Sequence, residues 1–290
     1  MEEIPELKES IEKANVLIEA LRYIREFHNK TIVIKYGGNA MIDEDLKEKV
    51  ILDIVLMKYV GMNPVVIHGG GPEISQVMKK MGKEAKFVNG LRVTDRETMD
   101  IAEMVLGKIN KSIVALINQH GAKAVGLSGK DAGLIFAEKY PSEVDIGFVG
   151  QVAKIEPEII KVLDREGFIP VISSIGVDGD GQTYNINADS VAGEMAAALG
   201  AEKLMMLTDV RGIMADQKDP KSLMSTLKIA DIDPLIKNGV ISSGMLPKVG
   251  ACVTALNGNV KKTHIIDGRI SHSLLLEIFT ERGIGTEIVH

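Results

Sequence analysis

Thr31-Ile32-Val33-Ile34-Lys35-Tyr36-Gly37-Gly38-Asn39-Ala40 is an apolar, β-branched run that ends in a lysine and a pair of glycines. The run is of strand type, and the glycines leave backbone N–H groups bare beside a cation. Charge and amide donors side by side suit a polyphosphate. Downstream, Pro64-Val65-Val66-Ile67-His68 repeats the scheme and ends in Gly69-Gly70-Gly71-Pro72, where a helical stretch opens. Two strands of parallel type thus finish in glycine-rich turns on one edge of a sheet. The convergence points to phosphoryl transfer.

Outward from these turns, short β-rich runs alternate with helical periods. Strands are expected near 31–36 and 64–68, helices near 44–60 and 73–81, an order that implies βαβ units with right-handed crossovers. A long helix over about 96–120 leads into a strand at 124–127, hairpins over 133–155, a helix near 156–166 and a strand at 169–172. The stretch Gly176-Val177-Asp178-Gly179-Asp180-Gly181 reads as a hairpin tip. Beyond it come a helix near 188–199, a strand at 203–208, a helix near 246–257, a strand at 264–266 and a last helix over 273–280. No linker or repeat separates the halves, so an α/β chain with two lobes on one continuous sheet is expected.

Residues 1–28 form a separate unit. Ile4, Leu7, Ile11, Ala14, Ile18 and Leu21 recur in steps of three and four, and Pro5 is tolerated in a first helical turn. The pattern is an amphipathic helix. Leu17, Tyr23, Ile24 and Phe27 widen its apolar surface, enough to meet both its own body and another subunit.

Composition narrows the field. The 290 residues are 45% hydrophobic and 26% charged, with 29 glycines, no tryptophan and a formal charge of -6, which argues against a general nucleic-acid binder. Any anionic ligand must be met by a few local cations. The one cysteine, Cys252, rules out an intrachain disulfide and reads as a small buried hydrophobe. The acidic start and the absence of an apolar run of about 18 residues lead to the expectation of a cytoplasmic protein.

Neither G-x-x-x-x-G-K-[ST] nor a post-strand G-x-G-x-x-G occurs, so a phosphate site must be built otherwise. Four elements compete for it: Lys35 with Gly37 and Gly38, the Gly69–Gly71 triplet, Tyr184-Asn185-Ile186-Asn187-Ala188-Asp189, and Gly244-Met245-Leu246-Pro247-Lys248. His68 beside the triplet reads as a structural histidine at a strand end. The six histidines show no metal-ligand spacing.

In this order the four elements closely resemble the amino-acid kinase family, and within it the N-acetyl-L-glutamate kinases of arginine biosynthesis. Further matching stretches are Asn89-Gly90-Leu91-Arg92-Val93-Thr94-Asp95, the Thr208-Asp209-Val210-x-Gly212 turn, and the ending Glu277-Ile278-Phe279-x-x-x-Gly283-Ile284-Gly285-Thr286. The resemblance implies a three-layer αβα sandwich with a largely parallel central sheet plus the N-terminal helix. It implies an oligomerisation and regulatory helix over 1–28, a substrate-binding and dimerising lobe over 29–175, and a lobe for ATP and arginine over 176–290.

The implied reaction moves the ATP γ-phosphoryl group, with Mg²⁺, to a side-chain carboxylate. That nucleophile is already ionised, so cations and amide donors are needed and a general base is not. By resemblance Lys35 and Lys248 approach the phosphoryl group from opposite sides and Asp189 holds them. Gly37, Gly38, Gly70 and Gly71 offer N–H groups, Arg92 and Asn185 bind the amino-acid portion, and Thr208, Asp209 and Gly212 belong to the nucleotide site.

The same resemblance implies inhibition by L-arginine at Tyr23, Lys203, His264, Glu277 and Gly285, in a hexamer built as a trimer of dimers. Rival readings are a kinase of carrier-linked or N-acetylated aminoadipate or glutamate in lysine biosynthesis, and a non-catalytic arginine sensor. One departure stands out: Ser242-Ser243-Gly244 replaces the usual Gly-Gly before Met-x-Pro-Lys, and Ser243 would be strained if it adopted positive φ.

Overall fold

Strand and helix alternate along the chain as their hydrophobic periods dictate. The computed structural model describes residues 5–41, 43–216 and 218–290, so Ile4 of the N-terminal pattern lies outside the described residues. The first half runs α1 (Pro5–Phe27), β1 (Thr31–Tyr36), α2 (Glu44–Tyr59), β2 (Asn63–His68), α3 (Gly71–Lys80), β3 (Phe87–Val88), β4 (Leu91–Arg92), α4 (Arg96–Gln119) and β5 (Ala124–Leu127). Then come β6 (Ile135–Lys139), β7 (Val149–Ile155), α5 (Glu158–Arg165), β8 (Ile169–Ser173), β9 (Ile175–Val177) and β10 (Thr183–Ile186). The remainder is α6 (Ala188–Leu199), β11 (Lys203–Thr208), β12 (Thr226–Lys228), α7 (Ile229–Lys237), α8 (Leu246–Asn257), β13 (Lys262–Asp267), α9 (Ser273–Phe279) and β14 (Thr286–Val289).

One eight-stranded sheet organises the molecule in the order β12-β14-β13-β11-β1-β2-β8-β5. It is largely parallel, with β14 antiparallel to β13. The two halves of the chain meet where β1 pairs with β11, with Lys35 opposite Met206. Tyr36 pairs with His68, so the two glycine turns do leave the same sheet edge.

Side chains alternate across a strand, and that alternation sorts the core into layers. Val33, Val65, Ile67, Leu204 and Met206 pack with α6 and α8 on one face. Ile32, Ile34, Val66, Met205 and Leu207 pack with α2, α9 and the end of α4 on the other. Both faces are therefore covered, as a parallel sheet requires.

A small closed barrel, β10-β7-β6-β9, sits beside the first half. The expected lobe boundary at 175/176 falls inside β9, and β10 pairs in parallel with β7. The 176–181 stretch does form the hairpin tip between β9 and β10. The Ser243–Met245 segment is a single 3-10 turn, a right-handed conformation that serine adopts without strain. Cys252 is buried, and that burial pushes its thiol up to about 12.

Candidate active site

Lys35 follows Val33 by two residues and so points to the α6 and α8 face. There the first turn of α6 supplies Asp189 and the first turn of α8 supplies Lys248. Asn187 caps α6 by accepting from the Asp189 N–H, which fixes Asp189 at that helix start. The Asp189 carboxylate lies between two ammonium groups, with Oδ1 2.9 Å from Lys35 Nζ and Oδ2 accepting from Lys248 Nζ at 3.0 Å. Burial pushes this carboxyl up, but the two lysines outweigh it and hold its pKa below the ordinary value. The array carries a net positive charge at the mouth of the turn.

The glycines bring the backbone close to two charged side chains. A Cβ on Gly37 would lie 2.7 Å from Lys35 Nζ. Gly38 has φ +74, and a Cβ there would meet the Asp209 carboxylate at 2.5 Å. The positive φ favours glycine at 38, while the contact at 37 is with the mobile end of the Lys35 side chain. Asp209 thereby touches the lysine turn from the end of β11.

A cleft of about 250 Å³ opens between the two glycine turns, lined by Lys35, Gly37, Gly38, Gly70, Gly71, Arg92, Asn185 and Asp189 among others. Among the described residues no backbone hydrogen bond takes the N–H of Gly70 or Gly71. Arg92 forms the far wall and is buried. Its Nη2 donates to the Gly71 carbonyl at 2.7 Å and to Ser75 Oγ at 2.8 Å, and its face lies 4.8 Å from the Phe87 ring centre. No carboxylate of the described residues pairs with it, and burial lowers its pKa from the ordinary value. A guanidinium still keeps its charge, so an anion is the missing complement. Asn185 donates to Thr94 Oγ1 at 3.2 Å and borders the same space.

Lys248 does not line the cleft and joins it through Asp189. Thr208 is buried at the end of β11, its hydroxyl donating to the Val210 carbonyl. Gly212 packs against Thr286 on β14 instead of facing the cleft. Sequence reasoning passed over Ser75 and Phe87. The turn Asn89-Gly90, with both φ values positive, is a hairpin signal that pairs Phe87 directly with Arg92.

A second pocket of about 640 Å³ lies across the sheet and contains Tyr23, Lys203, His264, Glu277 and Gly285. Lys203 and His264 leave their strands on the α1 and α9 face. His264 Nδ1 lies 2.7 Å from Glu277 Oε1, and Lys203 Nζ lies 3.2 Å from His264 Nε2. Burial raises the Glu277 carboxyl, yet His264 and the N–H groups of Ile284 and Gly285 hold it below the ordinary value. Burial and the neighbouring Lys262 lower Lys203. A short carboxylate, a lysine and a histidine thus face one water-accessible space.

The amino acid kinase family model matches residues 30–267. The chain belongs to the amino acid kinase family. Within it, an acetylglutamate kinase from Pelotomaculum thermopropionicum is 58% identical over 288 residues, covering 96% of this chain and 98% of that one. One from Methanothermobacter thermautotrophicus is 55% identical, covering 94% and 98%. Among solved structures, N-acetylglutamate synthase from Neisseria gonorrhoeae, complexed with coenzyme A and L-arginine, superposes at TM-score 0.83 and 26% identity. That match covers 95% of this amino acid kinase and 65% of the synthase chain. A carbamate kinase from Giardia lamblia bound to AMP-PNP shares the fold at TM-score 0.65 and 19% identity, covering 90% and 98%.

Proposed function

We propose that this amino acid kinase transfers the γ-phosphoryl group of ATP to the side-chain carboxylate of N-acetyl-L-glutamate, giving N-acetyl-L-glutamyl 5-phosphate and ADP. The Lys35–Asp189–Lys248 array beside a cleft with an unpaired Arg92 carries the reading. An acceptor carboxylate oxygen bonds to the γ-phosphorus while the bond to the β,γ-bridging oxygen breaks, and that electron pair leaves on ADP. No proton moves. The obstacle is the meeting of two anions, which preorganised cations and amide donors relieve.

In this reading Lys35 and Lys248 offset charge on the transferring group, Asp189 sets their spacing, and the N–H groups of Gly37, Gly38, Gly70 and Gly71 receive phosphoryl oxygens. Arg92 and Asn185 hold the amino-acid end of the acceptor. Thr208, Asp209 and Gly212 shape the nucleotide side. A kinase using ATP needs a divalent cation; we assign Mg²⁺, entering as part of the nucleotide substrate. In this scheme the ion is held mostly by phosphates and water.

The pocket at Tyr23, Lys203, His264, Glu277 and Gly285 is assigned to L-arginine as a feedback inhibitor. Glu277 would meet the guanidinium and Lys203 the carboxylate. The synthase solved with L-arginine supports the reading. We assign a hexamer built as a trimer of dimers; Leu7, Ile11, Val16, Leu17, Ile18 and Leu21, all exposed along α1, support association through this helix. In this scheme residues 29–175 bind substrate and dimerise and 176–290 bind ATP and arginine. No described helix is long and apolar enough to cross a membrane, and the cytoplasm is the proposed location.

The test is an ATP-dependent hydroxylamine trap of acyl phosphate, offered N-acetylglutamate, glutamate and N-acetylaminoadipate, each with and without arginine. Hydroxamate from N-acetylglutamate is expected, reduced by arginine. Lys35→Ala and Lys248→Ala should each lower kcat on the order of 10²–10³-fold. Preference for the aminoadipate acceptor would move the enzyme to lysine biosynthesis, and no product from any acceptor would favour the arginine sensor.

A further inference from the structure

We propose that His68 and Asn110 form a positioning relay that aims the Gly70 N–H into the active cleft. His68 is the last residue of β2 and is fully buried. Alternation puts its ring on the Val66 face, toward α4 and away from Lys35 and Asp189. On that side Asn110 of α4 reaches it, with Nδ2 3.1 Å from His68 Nε2. The same amide nitrogen donates to the carbonyls of Val171 at 2.9 Å and Leu127 at 3.3 Å. Two carbonyl neighbours require the NH₂ end of Asn110 at this point; its two hydrogens are shared among three acceptors, and because an amide nitrogen cannot accept, His68 Nε2 faces it without a proton.

A neutral imidazole whose Nε2 accepts carries its proton on Nδ1. Nδ1 lies 2.9 Å from the Gly69 carbonyl oxygen and therefore donates to it. In a trans peptide the C=O of one residue and the N–H of the next are locked antiparallel in one plane. No cis peptide occurs among the described residues. Holding the Gly69 oxygen toward the α4 face consequently turns the Gly70 N–H toward the opposite face, where Lys35 and Asp189 stand. Glycine has no side chain to fix that plane, so the histidine behind it does. Burial keeps the ring neutral by lowering its pKa to about 4, which preserves the tautomer at physiological pH.

The inference rests on the reading of Gly70 N–H as a donor to the transferring phosphoryl group. His68 touches no reacting atom and acts only through Gly69. Three replacements separate the relay from packing. Asparagine places an amide nitrogen near the position of imidazole Nδ1, glutamine near that of Nε2, and leucine places none. His68→Asn should keep kcat within about threefold, while His68→Gln and His68→Leu should lose roughly 10–100-fold in kcat with little change in either KM. Equal kcat for the asparagine and glutamine variants, or a loss confined to KM for ATP, would overturn the relay. Independent of activity and of variant folding, ¹⁵N NMR of the wild-type imidazole at pH 7 should show the neutral Nδ1–H tautomer. An Nε2–H tautomer or an imidazolium would overturn it as well. Failure of the wild type to form any acyl phosphate would sink the kinase reading, and the NMR result would still decide the tautomer on which the relay depends.

Discussion

A single lysine shows how much a period of two can decide. Because Val33 faces α6 and α8, Lys35 must as well, and it arrives between Asp189 and the glycine turn. The lysine and the glycines stood out in the sequence as a strand ending in a bare turn, whereas Asp189 and Lys248 were singled out by the resemblance to the amino-acid kinase family, since no one of these short stretches is decisive alone. Ser75 was not legible, since nothing nearby in sequence announces that a hydroxyl will meet Arg92 from α3. His68 was legible as a strand-end residue but not in its contacts, which come from Asn110 far along the chain. Its burial carries a stability consequence. The folded-state pKa of about 4 lies below the ordinary 6.5, so stability from the neutral ring is complete above about pH 6.5 and is lost as pH falls toward 4. Between pH 7 and pH 5 the unfolded chain takes the proton and the folded chain does not. Urea denaturation should therefore show wild type losing about 2 kcal/mol more than His68→Asn over that interval. An identical pH dependence for the two proteins would remove His68 as the titrating group.

At the scale of elements, two helices set the spacing of the charged array. Asp189 opens α6, Lys248 lies in the first turn of α8, and the helices approach closely enough that a Cβ on Gly193 would lie 2.6 Å from the Ala251 carbonyl oxygen and 2.9 Å from its Cα. Both contacts are backbone, so they cannot be relieved by a side-chain rotation. Gly193→Ala must push α8 away, and Lys248 with it. The expected result is a loss of about 1–3 kcal/mol in stability together with a larger fall in kcat than in acceptor binding. Denaturation midpoints and steady-state kinetics on the same sample check it; unchanged kcat would show that the helix spacing does not set the lysine. Gly193 stood out in no sequence pattern, because a glycine inside a helix names no partner. Helix α7 was missed for a different reason, since it is short and has Pro234 in its interior. The strands β12 and β14 escaped because their pairings are long-range, and the barrel closes only when β10 finds β7 across the intervening α5, β8 and β9.

On the scale of the whole molecule, β11 spans the two pockets. Thr208 at its end adjoins the Asp209–Gly38 contact, and Lys203 at its start enters the second pocket. Five strand steps separate them by about 17 Å. Helix α1 closes that second pocket: Tyr23 meets Phe279 edge-on at 6.1 Å, and Lys203 Nζ lies 5.0 Å from the centre of the Phe27 ring. Among the described residues it is the end of α1 that packs this way, while Leu17 and Ile18 are 71% and 69% exposed. A helix whose apolar side chains face water gains little from tertiary packing and needs a partner to be stable. The copy of the same helix on a neighbouring dimer is the proposed partner, which would make one element both the joint of the assembly and a wall of the arginine site. Deleting residues 1–28 should then convert a hexamer to dimers and weaken arginine inhibition at least tenfold, while leaving kcat without arginine near normal. Sedimentation with and without arginine, alongside inhibition curves, measures both effects. A truncated chain that remains hexameric would refute the assembly role of α1. One that dissociates yet keeps its arginine sensitivity would refute the coupling, because Tyr23 and Phe27 would then be dispensable to the site they enclose.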